Sequence, residues 1–493
     1  MKMNNKNLLI LTLIILFISC SEDFLERHPK HLPVSETFWK TEEDAKMALL
    51  GVYSHLYLDP FGSRLRLEVL TDNARSYLQL ETEMVQIRQG ILHSTSGGIQ
   101  YAWYRNMYRG IASCNFFLDN IDKVDDFNLK NQFIAEVKFL RAWFYFQLQQ
   151  TYGGVIIYRT VPTIEESKIK QSTSQEVIDF ILEDLNAAIP DLPNVKYSGR
   201  IVKNSAHAFK AKVLLFTERW AEAASEANIV IQSKLCSLYP DYRDLFLSKA
   251  QSTNPDEILF STVYALPERW HRGGNDHLLY GTTKPRKELL NSYLCLDGLP
   301  TTQSPLFNPD DPYSNRDPRC LQTLNPTGIR IINGVEHTYG SETGIHWNKF
   351  VEDNVSYFDR NVEVDDYDII HLRYADVLLM YAEAQNEING PDQSVHNAIN
   401  EVRHRSGMPS VPLDLSVDEM RDIIRLERRI ELAGEGHRWF DIKRWKIANE
   451  VLSLVDEPGG GIGTLKMLPH QYIWPFPQSE IDLNPNLVQN PGY

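Results

Sequence analysis

The chain has 493 residues and a formal net charge of −15, and 43% of its residues are hydrophobic and 23% charged. These proportions are typical of a folded globular protein and exclude a disordered chain, while the acidic balance disfavours binding to nucleic acid. Five cysteines in a chain of this length exclude a disulfide-dense scaffold. Aromatic residues make up 11% of the chain, enough to supply a binding surface as well as a core.

The N-terminus has the composition of a signal peptide. Lys2 and Lys6 supply a positive end, and residues 8–18 form an apolar run that is too short to span a bilayer comfortably. Cys20 follows a small residue at the end of this run, which resembles the lipobox of bacterial lipoproteins. We therefore expect residues 1–19 to be a cleaved signal peptide and Cys20 to carry a lipid anchor. An ordinary secretory signal with an incidental cysteine is the alternative.

Residues 20–40 contain Pro29 and Pro33 and are predicted to form an extended, lipid-anchored tether. Two acidic residues near its start, Glu22 and Asp23, resemble the surface-export signal of Bacteroidetes lipoproteins. We therefore expect a protein anchored to the outer membrane and facing the cell exterior.

The rest of the chain, residues 41–493, is predicted to be a single, mainly α-helical domain. Apolar residues recur at helical spacing, and the first helix begins after the capping residue Thr41. The predicted helices cover residues 41–58, 100–122, 131–152, 174–189, 204–234, 374–389, 396–405 and 417–434. The third of these is apolar on both sides and should be deeply buried.

Two parts of this pattern are predicted to be helix pairs. Residues 204–234 hold two helices around a turn, and the helices at 374–389 and 396–405 form a second pair. Ala211 and Ala223 are small residues twelve positions apart across the first turn, which resembles a tetratricopeptide repeat.

A different composition follows the first group of helices, rich in the Gly, Pro, Asn and Asp of turns. The domain therefore divides into three parts. The helical scaffold covers about residues 41–235 and 371–450, the loop-rich region covers about 240–370, and the C-terminal extended segment covers 465–493. In the loop-rich region, only residues 257–263 are predicted to form a strand. Loops of this length are usually functional or disordered, and Trp270, Tyr280 and Trp347 within them favour a ligand or partner surface.

Residues 425–445 carry four carboxylates among five arginines. Carboxylates four residues apart share a helix face, and a glycosidase needs two carboxylates that flank the bond it cleaves. Here, however, Glu431, Glu435 and Asp441 each have an arginine three residues away, and Glu427 has arginines within two residues on either side, which predicts ion pairs and lowered carboxyl pKa values. Because a general acid needs a raised pKa, we predict a structural role for this segment and no catalytic site.

The sequence predicts neither a cofactor nor a metal. Asp365, Asp366 and Asp368 lack the glycine and the distal glutamate of a calcium loop, which favours a solvated acidic turn. A calcium ion at this turn and a disulfide between Cys295 and Cys320 are both left open.

Several segments together resemble the SusD/RagB family of outer-membrane nutrient-binding lipoproteins of Bacteroidetes. The resemblance covers nearly the whole mature chain, and its most specific segments are RYADVLLMYAEAQNEING, AINEVRHRSGMP, IRLERRIELAGEGHRWFDIKRW and YIWPFPQSEIDLNPNLVQNPGY. It implies a SusD-like scaffold of four tetratricopeptide-like helix pairs with a loop-rich irregular elaboration. It also implies a surface lipoprotein that caps a SusC-like TonB-dependent outer-membrane transporter and captures glycan or peptide.

The resemblance further implies a ligand site built by the loop before the second long helix and by the mid-chain loops. Sugars stack their C–H faces on aromatic rings and exchange hydrogen bonds with Asn, Asp and Arg. In these regions the implied ligand-binding residues are Asp72, Asn73, Arg75, Tyr77, Trp270, Tyr280 and Trp347. We expect an oligosaccharide ligand; a peptide receptor, a transporter cap without a ligand of its own and a surface glycosidase are the alternatives.

Overall fold

The computed structural model describes residues 38–61, 64–76, 84, 86–87, 90–273, 283–340, 343–353, 355, 364–453 and 467–493. The predicted signal peptide, Cys20 and most of the predicted tether lie outside these ranges. In the ranges themselves, no helix combines the length and the apolar character that crossing a membrane requires.

The structure is mainly α-helical, as predicted. The helices with both ends described are α1 (Glu42–Tyr53), α2 (Gly98–Asn120), α3 (Lys130–Tyr152), α4 (Ser174–Ala188), α5 (Lys203–Phe216), α6 (Trp220–Ser233), α7 (Ser248–Gln251), α8 (Lys287–Ser292), α9 (Arg319–Thr323), α10 (Tyr374–Asn389), α11 (Gln393–Arg405), α12 (Val417–Glu431), α13 (Arg438–Arg444), α14 (Ala448–Ser453) and α15 (Gln478–Leu483).

Caps determine where these helices begin and end. Thr41 forms a capping box with Asp44 at the start of α1. The helix predicted from residue 396 begins three residues earlier, because the Asp392 carboxylate accepts hydrogen bonds from the N–H groups of Ser394 and Val395. A single acidic cap therefore adds almost a full turn to α11.

The last long helix ends at Glu431, three residues before its predicted end. Gly434 adopts a φ of +84°, and a Cβ atom there would lie 2.6 Å from the Phe350 ring. The chain therefore leaves the helix in a glycine-dependent turn that packs closely against the loop-rich region.

Each helix from α1 to α5 packs against the next one in the chain, α10 packs against α11, and α6 and α12 both pack on α10. The two predicted helix pairs, α5–α6 and α10–α11, are present, and Ala211 and Ala223 are buried. Their assignment to the tetratricopeptide class stays a prediction. Helix α3 is buried on all sides, as its sequence predicts, with Phe139, Trp143 and Phe146 in the core.

Short antiparallel strand pairs form within the loop-rich region and between it and its neighbours: β1 (Ala74–Arg75) with β3 (Lys284–Pro285), β2 (Ile258–Thr262) with β8 (Ile369–Arg373), β4 (Leu324–Asn325) with β7 (His346–Trp347), and β5 (Ile329–Ile332) with β6 (Val335–Thr338). The predicted strand at 257–263 is therefore confirmed as β2. Strand β8 leads directly into α10 and so joins this region to the helices. Cys295 and Cys320 are buried free thiols.

A buried carboxylate on the last turn of α12 connects the two parts of the molecule. The Glu431 side chain accepts hydrogen bonds from Arg319 of α9 at 2.8 Å, Arg373 of β8 at 2.7 Å and Arg405 of α11 at 2.5 Å. Burial alone would raise the pKa of Glu431, but the three guanidinium groups hold it well below its usual range. We call these four residues the Glu431 cluster.

A second set of contacts fixes the turn before β1. Asn73 Nδ2 donates to Glu68 Oε2 at 2.8 Å, and the N–H of Gly436 donates to Glu68 Oε1 at 3.1 Å. Arg429 Nε donates to Asn73 Oδ1 at 2.9 Å. The turn is thereby attached to α12 and to the loop that follows it.

We expect Glu431→Gln to destabilise the fold by about 3–5 kcal/mol, because it leaves three buried guanidinium groups with too little negative charge. Glu183→Gln is the control: it breaks an exposed ion pair with Arg159 and should cost at most about 1 kcal/mol. Urea unfolding of both variants measures the difference, and equal stabilities would contradict the assigned role.

The turn before β1 gives a prediction about pH. Burial raises the pKa of Glu68 from 4.5 to about 7, so the folded state retains its proton where the unfolded state has lost it. The retained proton stabilises the folded state. This stabilisation is fully present below pH 4.5 and is lost as the pH rises through 7. The unfolding free energy of the wild type minus that of Glu68→Gln should therefore fall across this window, by up to about 3 kcal/mol. A difference that is constant between pH 4.5 and 8 would show that Glu68 is ionised throughout.

Candidate ligand-binding surface

Asp72 and Asn73, both predicted to bind ligand, lie in the buried turn before β1. Asp72 receives two hydrogen bonds from Arg438, at 2.9 and 3.0 Å, and pairs with Arg429 at 2.9 Å. Burial would raise the pKa of Asp72, but Arg429 and Arg438 together lower it to about 2. Both side chains therefore act within the fold here, where they orient the strand that follows.

That strand carries Arg75 into a group of buried basic residues. Arg75 pairs with Lys284 across β1 and β3, and Lys284 Nζ lies 3.1 Å from His346 Nδ1 on β7. Burial lowers the pKa of Lys284 to about 8 and, together with the Lys284 charge, lowers that of His346 to about 4. His346 is therefore neutral at pH 7 and accepts from Lys284. We call Arg75, Lys284 and His346 the basic strand cluster.

The basic strand cluster lies where two implied ligand loops begin. Because β1 and β3 are antiparallel with Arg75 opposite Lys284, Ser76 and Thr283 leave the pair at the same end. Tyr77 and Tyr280 belong to the segments that continue from there, and both lie outside the described residues. The strand pairing thus joins two regions that are 200 residues apart in sequence.

Trp347 follows His346 on β7, but its indole is buried in a small hydrophobic core. Only 1% of its surface is exposed, and it packs with Leu65, Leu289 and Tyr293 in a small apolar cluster under α12. The cause is the long-range pairing of Trp347 with Leu324 across β4 and β7. A role for Trp347 in ligand binding stays a prediction, and in this structure core contacts cover its ring.

Trp270 is different, because half of its surface (50%) is exposed. It lies between two backbone bridges, Ala265 with Arg269 and His271 with Asp365, which fix its position. We call residues 264–271 the aromatic hairpin.

Contacts between aromatic rings, and one between a guanidinium group and a ring, hold the aromatic hairpin in place. The Arg269 guanidinium lies 4.9 Å from the centre of the Tyr57 ring. Tyr264 packs edge-on against Tyr57 at 5.2 Å and against His271 at 4.7 Å. An exposed indole on such a support is a ready stacking surface for a sugar ring.

The same hairpin lines a cavity of about 280 Å³ that includes Gln251, Asp366 and Asp368. Asp368 accepts hydrogen bonds from Ser261 Oγ at 2.7 Å and from the N–H of Tyr264 at 2.9 Å. Burial raises the pKa of Asp368 to about 6. Within the described ranges, no three His, Cys, Asp or Glu side chains are arranged to hold a metal ion. Amide and carboxylate groups thus line a cavity that residues 264–266 of the aromatic hairpin help to form.

The carboxylates of residues 425–445 are ion-paired, as predicted. Burial would raise the pKa of Glu435, but the charges of Arg373 and Lys349 lower it. The pKa of Asp441 is likewise lowered by Arg428 and Arg444. These contacts give the segment a structural role. The partners Arg373 and Lys349 could not be predicted from the sequence, because both lie far from this segment in the chain.

Lys284 and His346 of the basic strand cluster were also missed. Neither belongs to a recognisable motif, and only the pairing of β1 with β3 and the packing of β3 on β7 bring them together. The neighbouring Trp347 was predicted to bind ligand only because it is an aromatic residue in the loop-rich region.

Comparison with known proteins identifies the family. Residues 248–493 match the model of the SusD family, and residues 24–215 match a second model, described as starch-binding and associating with the outer membrane. A SusD-like protein of Formosa agariphila is 27% identical over 528 aligned positions, which cover all of both chains. The starch-binding protein SusD of Bacteroides thetaiotaomicron is 23% identical and covers 86% of this chain and 84% of its own.

The fold agrees with this assignment. The crystal structure of a SusD-like carbohydrate-binding protein from Bacteroides fragilis superimposes with a TM-score of 0.82 at 27% identity, covering 92% of this chain and 100% of that one. The two family models together span most of the chain, and the Formosa agariphila relative matches it from end to end. The chain therefore belongs to the SusD family, as its sequence motifs predict.

Proposed function

We propose that this protein is a cell-surface glycan-binding lipoprotein that captures oligosaccharide and delivers it to a SusC-type TonB-dependent transporter. The observation that carries the proposal is the match to SusD-like proteins over 86–100% of this chain, among them one described as carbohydrate-binding and one as starch-binding. Membership of a family associated with the outer membrane supports the lipid anchor at Cys20.

The aromatic hairpin supplies the capture surface in this proposal. A sugar ring stacks on the exposed face of Trp270, while its hydroxyls donate to the carboxylates of the adjoining cavity, Asp366 and Asp368. The loops that leave the basic strand cluster contribute further contacts through Tyr77 and Tyr280, and Arg75 lies in β1 where the first of these loops begins.

In this proposal, delivery of the oligosaccharide to the transporter depends on the lipid anchor. A lipid at Cys20 and an extended tether keep the domain near the membrane while it closes over the transporter. The stable lipoprotein–transporter contact that this requires should bury more than about 2,000 Å². No catalytic step is included, because the carboxylates of the signature segment serve as structural partners of arginine.

Trp270→Ala should weaken retention in polysaccharide affinity gels by about two- to tenfold, since a stacked ring contributes ~0.5–1.5 kcal/mol. Phe116→Ala, which removes a comparably exposed ring from α2, is the matched control and should migrate like the wild type. If both variants are retained as strongly as the wild type, the capture surface lies elsewhere. Retention of peptides instead of glycans would favour the peptide-receptor alternative.

Cys20→Ala should transfer the protein from the detergent phase to the aqueous phase in Triton X-114 partitioning, because the lipid attached to this thiol is the proposed anchor. Cys236→Ala removes a half-buried thiol of the domain and should leave the protein in the detergent phase. An unchanged partition of Cys20→Ala would refute the lipoprotein assignment.

A further inference from the structure

A second enclosed space lies apart from the surface proposed above. Helix α2, residues 156–168 and the segment 480–487 that includes the end of α15 surround a pocket of about 420 Å³. This volume is in the range of small-molecule sites. None of its lining residues belongs to the basic strand cluster or to the aromatic hairpin. We call it the C-terminal pocket.

One wall of the C-terminal pocket is aromatic. The rings of Tyr104 and Tyr108 lie 4.8 Å apart, and those of Tyr108 and Tyr158 lie 5.9 Å apart. Tyr108 donates its hydroxyl hydrogen to the carbonyl of Ile156 at 2.8 Å, and Tyr158 donates to that of Ser167 at 2.7 Å. Since these hydroxyls are engaged within the protein, the ring surfaces are what this wall offers to a ligand.

The C-terminal pocket also contains a carboxylate that the fold does not use. Glu480 is half-buried, and among the residues that the structure describes its side chain has no hydrogen-bond or ion-pair partner. Burial raises the pKa of this group, which reflects the cost of keeping its charge there. A ligand that donates hydrogen bonds to Glu480 would recover part of this cost.

Arg105 supplies a cation to the same wall. Its guanidinium packs on the Tyr101 ring at 5.1 Å, and its Nε donates a long hydrogen bond of 3.4 Å to Asn106. Of the other basic lining residues, Arg109 is exposed and Lys168 lies 3.9 Å from Glu165. The inner part of the pocket therefore combines one anion and one cation with aromatic rings.

We infer that the C-terminal pocket is a second, independent carbohydrate site that takes a single neutral sugar ring. The tyrosine rings fit the C–H face of a pyranose, Glu480 accepts from its hydroxyls and Arg105 donates to them. A charged sugar fits less well, because the lining carries charges of both signs. Only the choice of carbohydrate as ligand rests on the proposed function, since the pocket is built from other residues.

Two variants test this inference, one that blocks the pocket and one that removes its charge. Ala112 is an exposed residue of α2 on the pocket wall, so Ala112→Trp fills the space without disturbing the core. Glu480→Gln keeps the shape and removes the carboxylate. The matched controls are Ala221→Trp and Glu43→Gln, at exposed positions of α6 and α1.

Saturation-transfer NMR on the mature chain, with glucose, galactose, mannose and xylose as separate probes, measures the binding. We expect transfer to at least one sugar, loss of it in Ala112→Trp, and an affinity at least about tenfold lower in Glu480→Gln, as for loss of a charge-assisted hydrogen bond. Both controls and Trp270→Ala should bind the monosaccharide like the wild type.

Two results would overturn the inference: no transfer to any of the four sugars in the wild type, or equal transfer in the wild type, Ala112→Trp and Glu480→Gln. The readout also separates this inference from the proposed function. Polysaccharide retention that depends on Trp270 supports the proposed function whatever the pocket variants do, and monosaccharide transfer that depends on Glu480 supports the pocket whatever the gels show.

Discussion

The buried carboxylate of Glu431 is the constraint on which the arrangement of this molecule depends. It binds one arginine from the loop-rich region, one from the strand that leads into α10 and one from α11. A carboxylate without exposed surface among three guanidinium groups is stable only if every partner is in place. The Glu431 cluster therefore specifies how the loops sit on the helices, more than it adds to net stability.

This constraint has a consequence for binding. Loops that carry ligand-contacting side chains need a rigid base, since a displaced stacking ring loses its contact. The turn before β1 obtains its base from Arg429 and Arg438, and the aromatic hairpin obtains its base from Tyr57 and two backbone bridges. Two of the segments that resemble the SusD family, residues 373–390 and 424–445, thus lie in the helices and turns that support these loops.

Local signals were sufficient to predict most of the helical scaffold. Helical spacing of apolar residues located the long helices, and the apolar character of α3 on both sides predicted its burial. The errors lay at the ends, where Asp392 extended α11 and Gly434 ended α12 early. Such ends depend on a few side-chain hydrogen bonds and on one close contact with Phe350. The spacing of apolar residues does not predict these contacts.

The candidate site was harder to predict, because long-range contacts decide which of its residues are available. Trp270 and Trp347 look alike as loop tryptophans, yet pairing with Leu324 buries the second while the first stays half-exposed. Asp72 and Asn73 look like ligand-binding polar residues, but arginines more than 350 positions away occupy them. The C-terminal pocket was not visible in the sequence at all, since α2 and α15 meet only in the folded chain.

The most direct test of the central claim, that this SusD family protein captures oligosaccharide, is a glycan array probed with the mature, lipid-free chain. The account predicts binding to at least one class of oligosaccharide, with competition by the same oligosaccharide free in solution. Binding to no glycan on the array, by a chain that still associates with its transporter, would contradict the account and favour a cap that only seals the transporter.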